Sequence, residues 1–433
     1  MLAGRRASAS PLVVGLVVSA LAGGPAAAQA RQMLAATVTI DEAVREAIDH
    51  NLTLVAERYS VSIAQARIVT ARLRPNPVLT LNAMLPDSAV FAENISPKEQ
   101  VFRTDVVIEG GGKRDRRIEV AQQAVSVAEL ELANTMRTIV LDVQSACVDV
   151  VLAKQNLALA RESLDAFNAL VQVNTERVRT GDLAQVELAR SRLAALQFQN
   201  DVRQQQSKLA VAQNRLKTLL GRLGPEPVDV DGDLRRDARA IRLDDVTRVA
   251  LGARPDLEAQ RRGQARSAAD IRLQIAQGRI DYTISGEVHH QHQATPPGAN
   301  AGFLYGAFVS LPLPLFNRNQ GEVERARMEE RQAISRIAAL EAQVRSEVEQ
   351  AYEAYAAARD VVTTVEAQML AQARDVRTTT EYSYRRGEAS FIELLDAVRA
   401  FNDTMQSYNA ARADYARSLY SLDASAGGRG VNP

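Results

Sequence analysis

Between Lys113 and Thr180 the chain runs for 68 residues without a glycine or a proline. Every seventh residue from Met136 is apolar: Met136, Val143, Val150, Leu157, Leu164, Val171 and Val178. A second row carries Leu132, Ile139, Ala146, Ala153, Ala160 and Phe167. Two rows that alternate at three and four residues make a coiled-coil seam rather than the wider stripe of a globular core. At 1.5 Å of rise per residue such a helix is about 100 Å long, far beyond the width of an ordinary domain. A fold built around it is elongated.

Residues 319–386 predict a second helix of the same kind, with seams Ile337, Val344, Ala351, Ala358, Val365 and Val348, Tyr355, Val362, Met369, Val376. The chain repeats itself more widely. IDEAVREAIDHNLTL at residues 40–54 matches LDDVTRVALGARPDL at 243–257, pairing Asp41 with Asp244, Arg45 with Arg248 and Ala47 with Ala250. Gly181, Glu187 and Leu188 match Gly387, Glu393 and Leu394 in the same way. The expected organisation is a signal peptide at 1–30, a first copy at 31–240, a second at 241–424 and a short flexible tail at 425–433. A unit of about 200 residues is too long for a solenoid repeat and fits a duplicated half-structure.

The signal reading rests on Arg5 and Arg6, an apolar run at 11–22 and the small-residue site Ala28-Gln29-Ala30. Beyond it no run of 18 apolar residues occurs, so any integral contact with a membrane has to be a β-barrel. Lys plus Arg and Asp plus Glu both total 52, which gives no reason to expect nucleic acid. The single cysteine, Cys147, lies within the long helix and reads as a small apolar core residue.

Between the helices the period changes from 3.6 to 2. Residues 78–85 set Leu79, Leu81, Ala83 and Leu85 against Thr80 and Asn82, and residues 101–109 set Phe102, Val106 and Ile108 against Arg103, Asp105 and Glu109. One apolar and one polar face suit a barrel wall between lipid and water. The second copy offers strands at 280–288 and 303–311. Gly110, Gly111 and Gly112 read as a flexible strand-to-helix joint with basic residues at the membrane interface; the spacing is wrong for a phosphate loop. Four strands cannot close a membrane barrel, which needs about eight or more, so several chains have to contribute. Three chains give 12 strands and a continuous cylinder of helices.

The duplicated plan, the entry pattern and its copy, IEGGGKRDRR from Ile108, PLPLFNRNQGEVERA from Pro312 and the two glycine tips together resemble the TolC-type outer membrane efflux factors. The GGGKR junction and the short tail are most similar to the cobalt-zinc-cadmium resistance branch. The resemblance implies a mainly α fold with a small β part. Three chains would form an α-barrel in the periplasm and a 12-stranded transmembrane β-barrel. It also implies a passive conduit fed by a periplasmic adaptor and an inner-membrane pump of the resistance-nodulation-division type. The adaptor-engaging tip motif maps onto Arg179, Gly181 and Leu183 in the first copy and onto Arg385, Gly387 and Ser390 in the second. Ala184 and Ala389 stand where the motif has Ser and Leu.

No catalytic motif and no cofactor motif is present, so an enzyme is not expected. His289, His290 and His292 are candidate metal ligands, with a solvated polar loop as the plainer reading. Asp182, Glu187, Glu393 and Asp396 would be triplicated around a threefold axis and could attract cations at the tips. The competing reading is a non-conducting periplasmic adaptor or coiled-coil scaffold; an adaptor would carry a single helical hairpin flanked by small β-domains, whereas this chain has two copies with four amphipathic strands.

Overall fold

The computed structural model describes residues 37–84, 99–237, 241–291 and 302–428; the signal-peptide reading and His292 lie outside them. Helices α1 (Ile40–His50) and α2 (Leu52–Arg72) lead into strands β2 (Val78–Met84) and β3 (Glu99–Ile108). Helix α3 (Lys113–Thr180) follows, and α4 (Gln185–Leu219) returns from its far end. The same order then recurs: α5 (Leu243–Ala253), α6 (Pro255–Gln277), β5 (Tyr282–Gln291), β6 (Gly302–Ser310), α7 (Gln320–Thr364), α8 (Leu370–Arg386) and α9 (Phe391–Ser425). Two short strands, β1 (Thr37–Val38) and β4 (Asp229–Val230), pair in parallel between the first helix and the connection.

Helix α3 packs on α2 and α6 along one half and on α4 along the other, while α7 packs on α6 and α9. Two short helices laid end to end thus flank each long one. The largest core lies at the waist, where α1, the start of α2 and the end of α4 meet the middle of α3. Leu54, Val143, Val150, Leu216 and Leu220 are fully buried there, each contributing about 1.5–3 kcal/mol relative to exposure. Cys147 is buried among them, and burial pushes its thiol up to about 12.

From Thr39 to the stop at Pro75-Asn76-Pro77 the sequence has no glycine or proline and predicts one helix, yet it folds as two. Asn51 interrupts it: its Oδ1 accepts from the N–H groups of Thr53 (3.0 Å) and Leu54 (3.2 Å), and its Nδ2 donates 2.7 Å to the Leu219 carbonyl. One side chain therefore caps the start of α2 and the end of α4. The second copy breaks at Arg254, ahead of Pro255 at the first position of α6. The buried Arg254 guanidinium binds Asp256 and Glu347, each at 2.5 Å.

The other departure is in the second long helix. A π-helical turn at Val365–Met369 separates α7 from α8. A π turn holds one residue more than an α turn, so the seam beyond it shifts by one. Met369 and Val376, expected on the seam, are exposed; the row that contains Val362 resumes at Leu370, Arg377 and the buried Tyr384.

The four long strands form one antiparallel sheet in the order β2-β3-β5-β6. Registers Leu81↔Phe102, Phe102↔Val288 and Val288↔Tyr305 put these apolar residues on one face, with Val106, Ile284 and Val309. The opposite face carries the charged and polar side chains, among them Arg103, Asp105, Ser285 and Glu287, interspersed with Val101, Val107 and Phe308. Arg103 donates to Asp105 (2.9 Å) and Ser285 (3.2 Å), and Ser285 in turn donates to Asp105. The glycine joint is packed rather than loose. A Cβ on Gly110 would overlap the Ile280 carbonyl, and Gly111 and Gly112 take φ of +67° and +69°. The basic residues there are engaged: Lys113 is buried against Asp281 (2.7 Å), Arg114 caps the Arg72 carbonyl (2.7 Å), and Arg117 binds Glu109.

Candidate functional site

At the end remote from the sheet each repeat closes in a four-residue turn. Gly181 and Gly387 end α3 and α8 with φ of +86° and +81°, and their N–H groups bond back into the last helical turn. A Cβ would meet nothing within 4 Å at either position, so glycine is required by backbone conformation rather than by space. The two turns differ at their exits. Ser390 and Glu393 form a reciprocal capping box: the Ser390 N–H donates to the Glu393 carboxylate (2.6 Å), and the Ser390 hydroxyl accepts from the Glu393 N–H (3.3 Å). In the first turn Ala184 stands at the equivalent place and offers no side-chain cap.

An aromatic core holds the two turns side by side. Phe167 lies 4.4 Å from Phe198 and 6.4 Å, edge-on, from Phe391; Tyr384 packs edge-on against Phe391 at 6.3 Å. These rings come from α3, α4, α8 and α9. Within the cluster the fully buried Asn174 amide donates 3.0 Å to the Tyr384 hydroxyl, whose oxygen lies 3.1 Å from Asn174 Oδ1. A buried polar pair of this kind fixes register, because either group alone is left unsatisfied. Sequence reasoning passed over both residues. Asn174 was findable, seven residues after Phe167 on the same seam; Tyr384 was hidden by the shift at the π turn.

Of the six expected tip residues, Leu183, Gly387 and Ser390 line one open groove, together with Arg177, Glu187 and Ile392, whereas Arg179, Gly181 and Arg385 are not part of its lining. Leu183 and Ser390 thus face one groove from different repeats. Arg179 and Arg385 are exposed and pair within their own helices, with Glu176 (2.8 Å) and Glu381 (2.6 Å). The four carboxylates are not equivalent. Asp182 accepts from the Thr180 hydroxyl (2.7 Å), Glu187 pairs with Arg190 (2.7 Å), and Glu393 belongs to the capping box. The Ser390 backbone N–H holds the Glu393 carboxyl below its usual range, so it stays ionised. Asp396 is exposed, and among the described residues no hydrogen bond or ion pair engages it.

His289 and His290 do not converge. His289 lies on the polar face of the sheet, with Nδ1 2.8 Å from Glu99 and Nε2 against Glu287. The neighbouring His290 lies on the apolar face, its ring 4.4 Å from that of Phe303. Alternation along β5 separates them across the sheet. No helix among the described residues is long and apolar enough to cross a membrane.

Residues 43–222 and 246–428 match the family model described as outer membrane efflux protein. The chain is 24% identical over 366 residues to the cobalt-zinc-cadmium resistance protein CzcC of Cupriavidus metallidurans, covering 84% of each chain. Among solved structures it resembles the CmeC outer membrane channel of Campylobacter jejuni, with a TM-score of 0.73, 15% identity and coverage of 90% of this chain and 85% of that one. It likewise resembles the open state of the MtrE outer membrane channel of Neisseria gonorrhoeae, with a TM-score of 0.72, 18% identity and coverage of 90% and 89%.

Proposed function

Because the chain belongs to the outer membrane efflux protein family, we propose that it is the outer membrane channel of a tripartite export system and works as a homotrimer. The observation that carries this reading is the four-stranded sheet with one apolar face, a face that carries the polar side chains, and a free outer edge on β2 at one end and on β6 at the other among the described residues. Bare strand edges are not tolerated in a bilayer, and joining edge to edge across three copies removes all of them. The chain is then a passive duct. Its polar sheet face lines water, its apolar face meets outer membrane lipid, and its helices extend into the periplasm. No covalent step is needed, and no enzymatic role is proposed.

The tips are the docking site for a periplasmic adaptor, with Arg179, Gly181, Leu183, Arg385, Gly387 and Ser390 as its contacts. The shared groove between Leu183 and Ser390 supports this. An inner-membrane pump, of the resistance-nodulation-division type, delivers the solute. The carboxylates Asp182, Glu187, Glu393 and Asp396 attract cations to the entrance, and Asp396 is the freest to do so. The likeness to CzcC favours divalent transition-metal cations as cargo over drugs. Residues 31–240 and 241–424 are read as two copies of one unit, supported by the recurring element order, with 425–433 as the tail.

The test is the mass of the purified protein in detergent together with single-channel conductance in a planar bilayer. A trimeric mass with discrete conductance steps is expected, and Asp396→Asn is expected to weaken cation block at the tip side. A monomer that never inserts overturns the reading. Cargo is tested separately: loss of the gene should sensitise cells to cobalt, zinc and cadmium, and sensitivity to drugs alone would reassign it.

A further inference from the structure

The outward apolar row of the sheet does not stop where the sheet stops. On β6 that row is Phe303, Tyr305, Ala307 and Val309, the odd-numbered positions. Past Ser310 the chain leaves the ladder through Leu311-Pro312-Leu313-Pro314 and bends at Leu315 and Phe316 before it turns toward α7. The apolar side chains of this strap stay exposed: Leu313 is 67% exposed, Leu315 66%, and Phe316, at its end, 91%. The corresponding junction of the first repeat is Glu109-Gly110-Gly111-Gly112, which presents no apolar side chain. Each chain carries one such strap.

We propose that residues 311–316 are a membrane-interface anchor, seated at the boundary between the acyl chains and the headgroups of the periplasmic leaflet. This rests on the outer membrane reading above. Three observations select lipid over water or a second copy of the chain. The strap follows directly on β6, whose apolar row the barrel turns toward acyl chains, and its own apolar side chains are exposed. A tilted strand of about 9–11 residues spans one hydrocarbon thickness, and β6 has 9, so the residues just beyond its helix-side end fall at the headgroup level. The backbone also suits a poorly hydrated place. Pro312 and Pro314 have no N–H, and the Leu315 N–H is satisfied by the Leu313 carbonyl at 2.8 Å. Exposed guanidiniums lie beside it. Arg318, which donates to the Pro314 carbonyl (3.2 Å), and Arg279 suit the phosphates of that layer.

The chain contains no tryptophan, so one substitution supplies a unique fluorescent reporter. Phe316→Trp, Leu313→Trp and, as a reference on the sheet face, Tyr305→Trp are purified as assembled protein and reconstituted into phosphatidylethanolamine–phosphatidylglycerol vesicles. Lipids brominated at shallow or deep acyl positions serve as quenchers. For Phe316→Trp and Leu313→Trp a blue-shifted emission is expected, quenched more by shallow than by deep bromines. Red emission quenched by aqueous iodide puts the strap in water and overturns the proposal. Blue emission quenched by neither probe means the strap is covered by another copy, which also overturns it. If Tyr305→Trp escapes the bromines as well, the barrel reading itself has failed; if it alone is quenched, only the anchor has.

Discussion

Asn174 and Tyr384 are buried beside the rings of Phe167, Phe198 and Phe391, and they satisfy each other. Tyr384→Phe strands the Asn174 amide and is expected to destabilise the tip by about 1–3 kcal/mol. Combining it with Asn174→Leu should recover most of that loss, because no buried polar group is then left alone. Hydrogen exchange of the tip amides distinguishes the three proteins; equal protection in all would show that the pair contributes nothing. Gly387 poses a different constraint. With open space around it and φ of +81°, Gly387→Ala should cost about 1–2 kcal/mol and Gly387→Asn clearly less, read as denaturation midpoints. Glu366 at the π turn carries a pH signature. The Arg236 guanidinium, bonded at 2.8 and 3.0 Å, holds its carboxyl below the usual range, with the Tyr408 hydroxyl adding to it against a burial effect. A depressed folded pKa gives stabilisation that is complete above the ordinary glutamate range and is lost as pH falls through the folded value. Glu366→Gln should therefore flatten the acid side of the melting-temperature curve and leave its neutral part nearly parallel; superimposable acid limbs would refute the contact's role. The spacing of seven exposes Asn174 to a reader of the sequence. The partners of Glu366 are not exposed in that way, since Arg236 lies 130 residues away on a connection with no periodic pattern.

Long elements were the legible ones. An unbroken seam with no Gly or Pro fixes α3 to the residue, because every turn repeats the same evidence. Breaks were less so. Asn51 is neither glycine nor proline, and it ends one helix and starts the next through side-chain bonds to a carbonyl far along the chain. Pro255, by contrast, sits at a helix start where its missing N–H is no loss, and that signal was readable. The π turn is invisible to a strict count of seven, which carries Met369 and Val376 onto a seam they do not occupy. It also makes a sharp expectation. Deleting Ala367 from the turn brings Leu370, Arg377 and Tyr384 into line with Val362 at intervals of seven, so a continuous α-helix keeps the same buried face. The deletion should preserve assembly and thermal melting by circular dichroism, whereas deleting Ala357, above the turn, should not. Equal damage from both would mean that the π turn is needed for the fold itself.

Across the whole molecule the two repeats share one sheet and one bundle, since β3 pairs with β5 and α3 packs on α6 and α9 as well as on its own repeat. The duplication was plain in the sequence, but this interlocking was not, because nothing in a strand's own alternation names its neighbour across the repeat boundary. Assembly is expected to be strongly concentration-dependent, and refolding into detergent at several dilutions, followed by native mass analysis, measures it. Folded monomer persisting at the highest dilution would show that single chains complete their own fold. The free edges at β2 and β6 also bear on inheritance. A copy whose β6 edge is blocked by proline keeps a sound β2 edge, joins its neighbours and leaves an open seam in every ring it enters. Such an allele would act against the intact gene beside it in the same cell, as a dominant trait, where most loss-of-function changes in a single-chain protein are recessive.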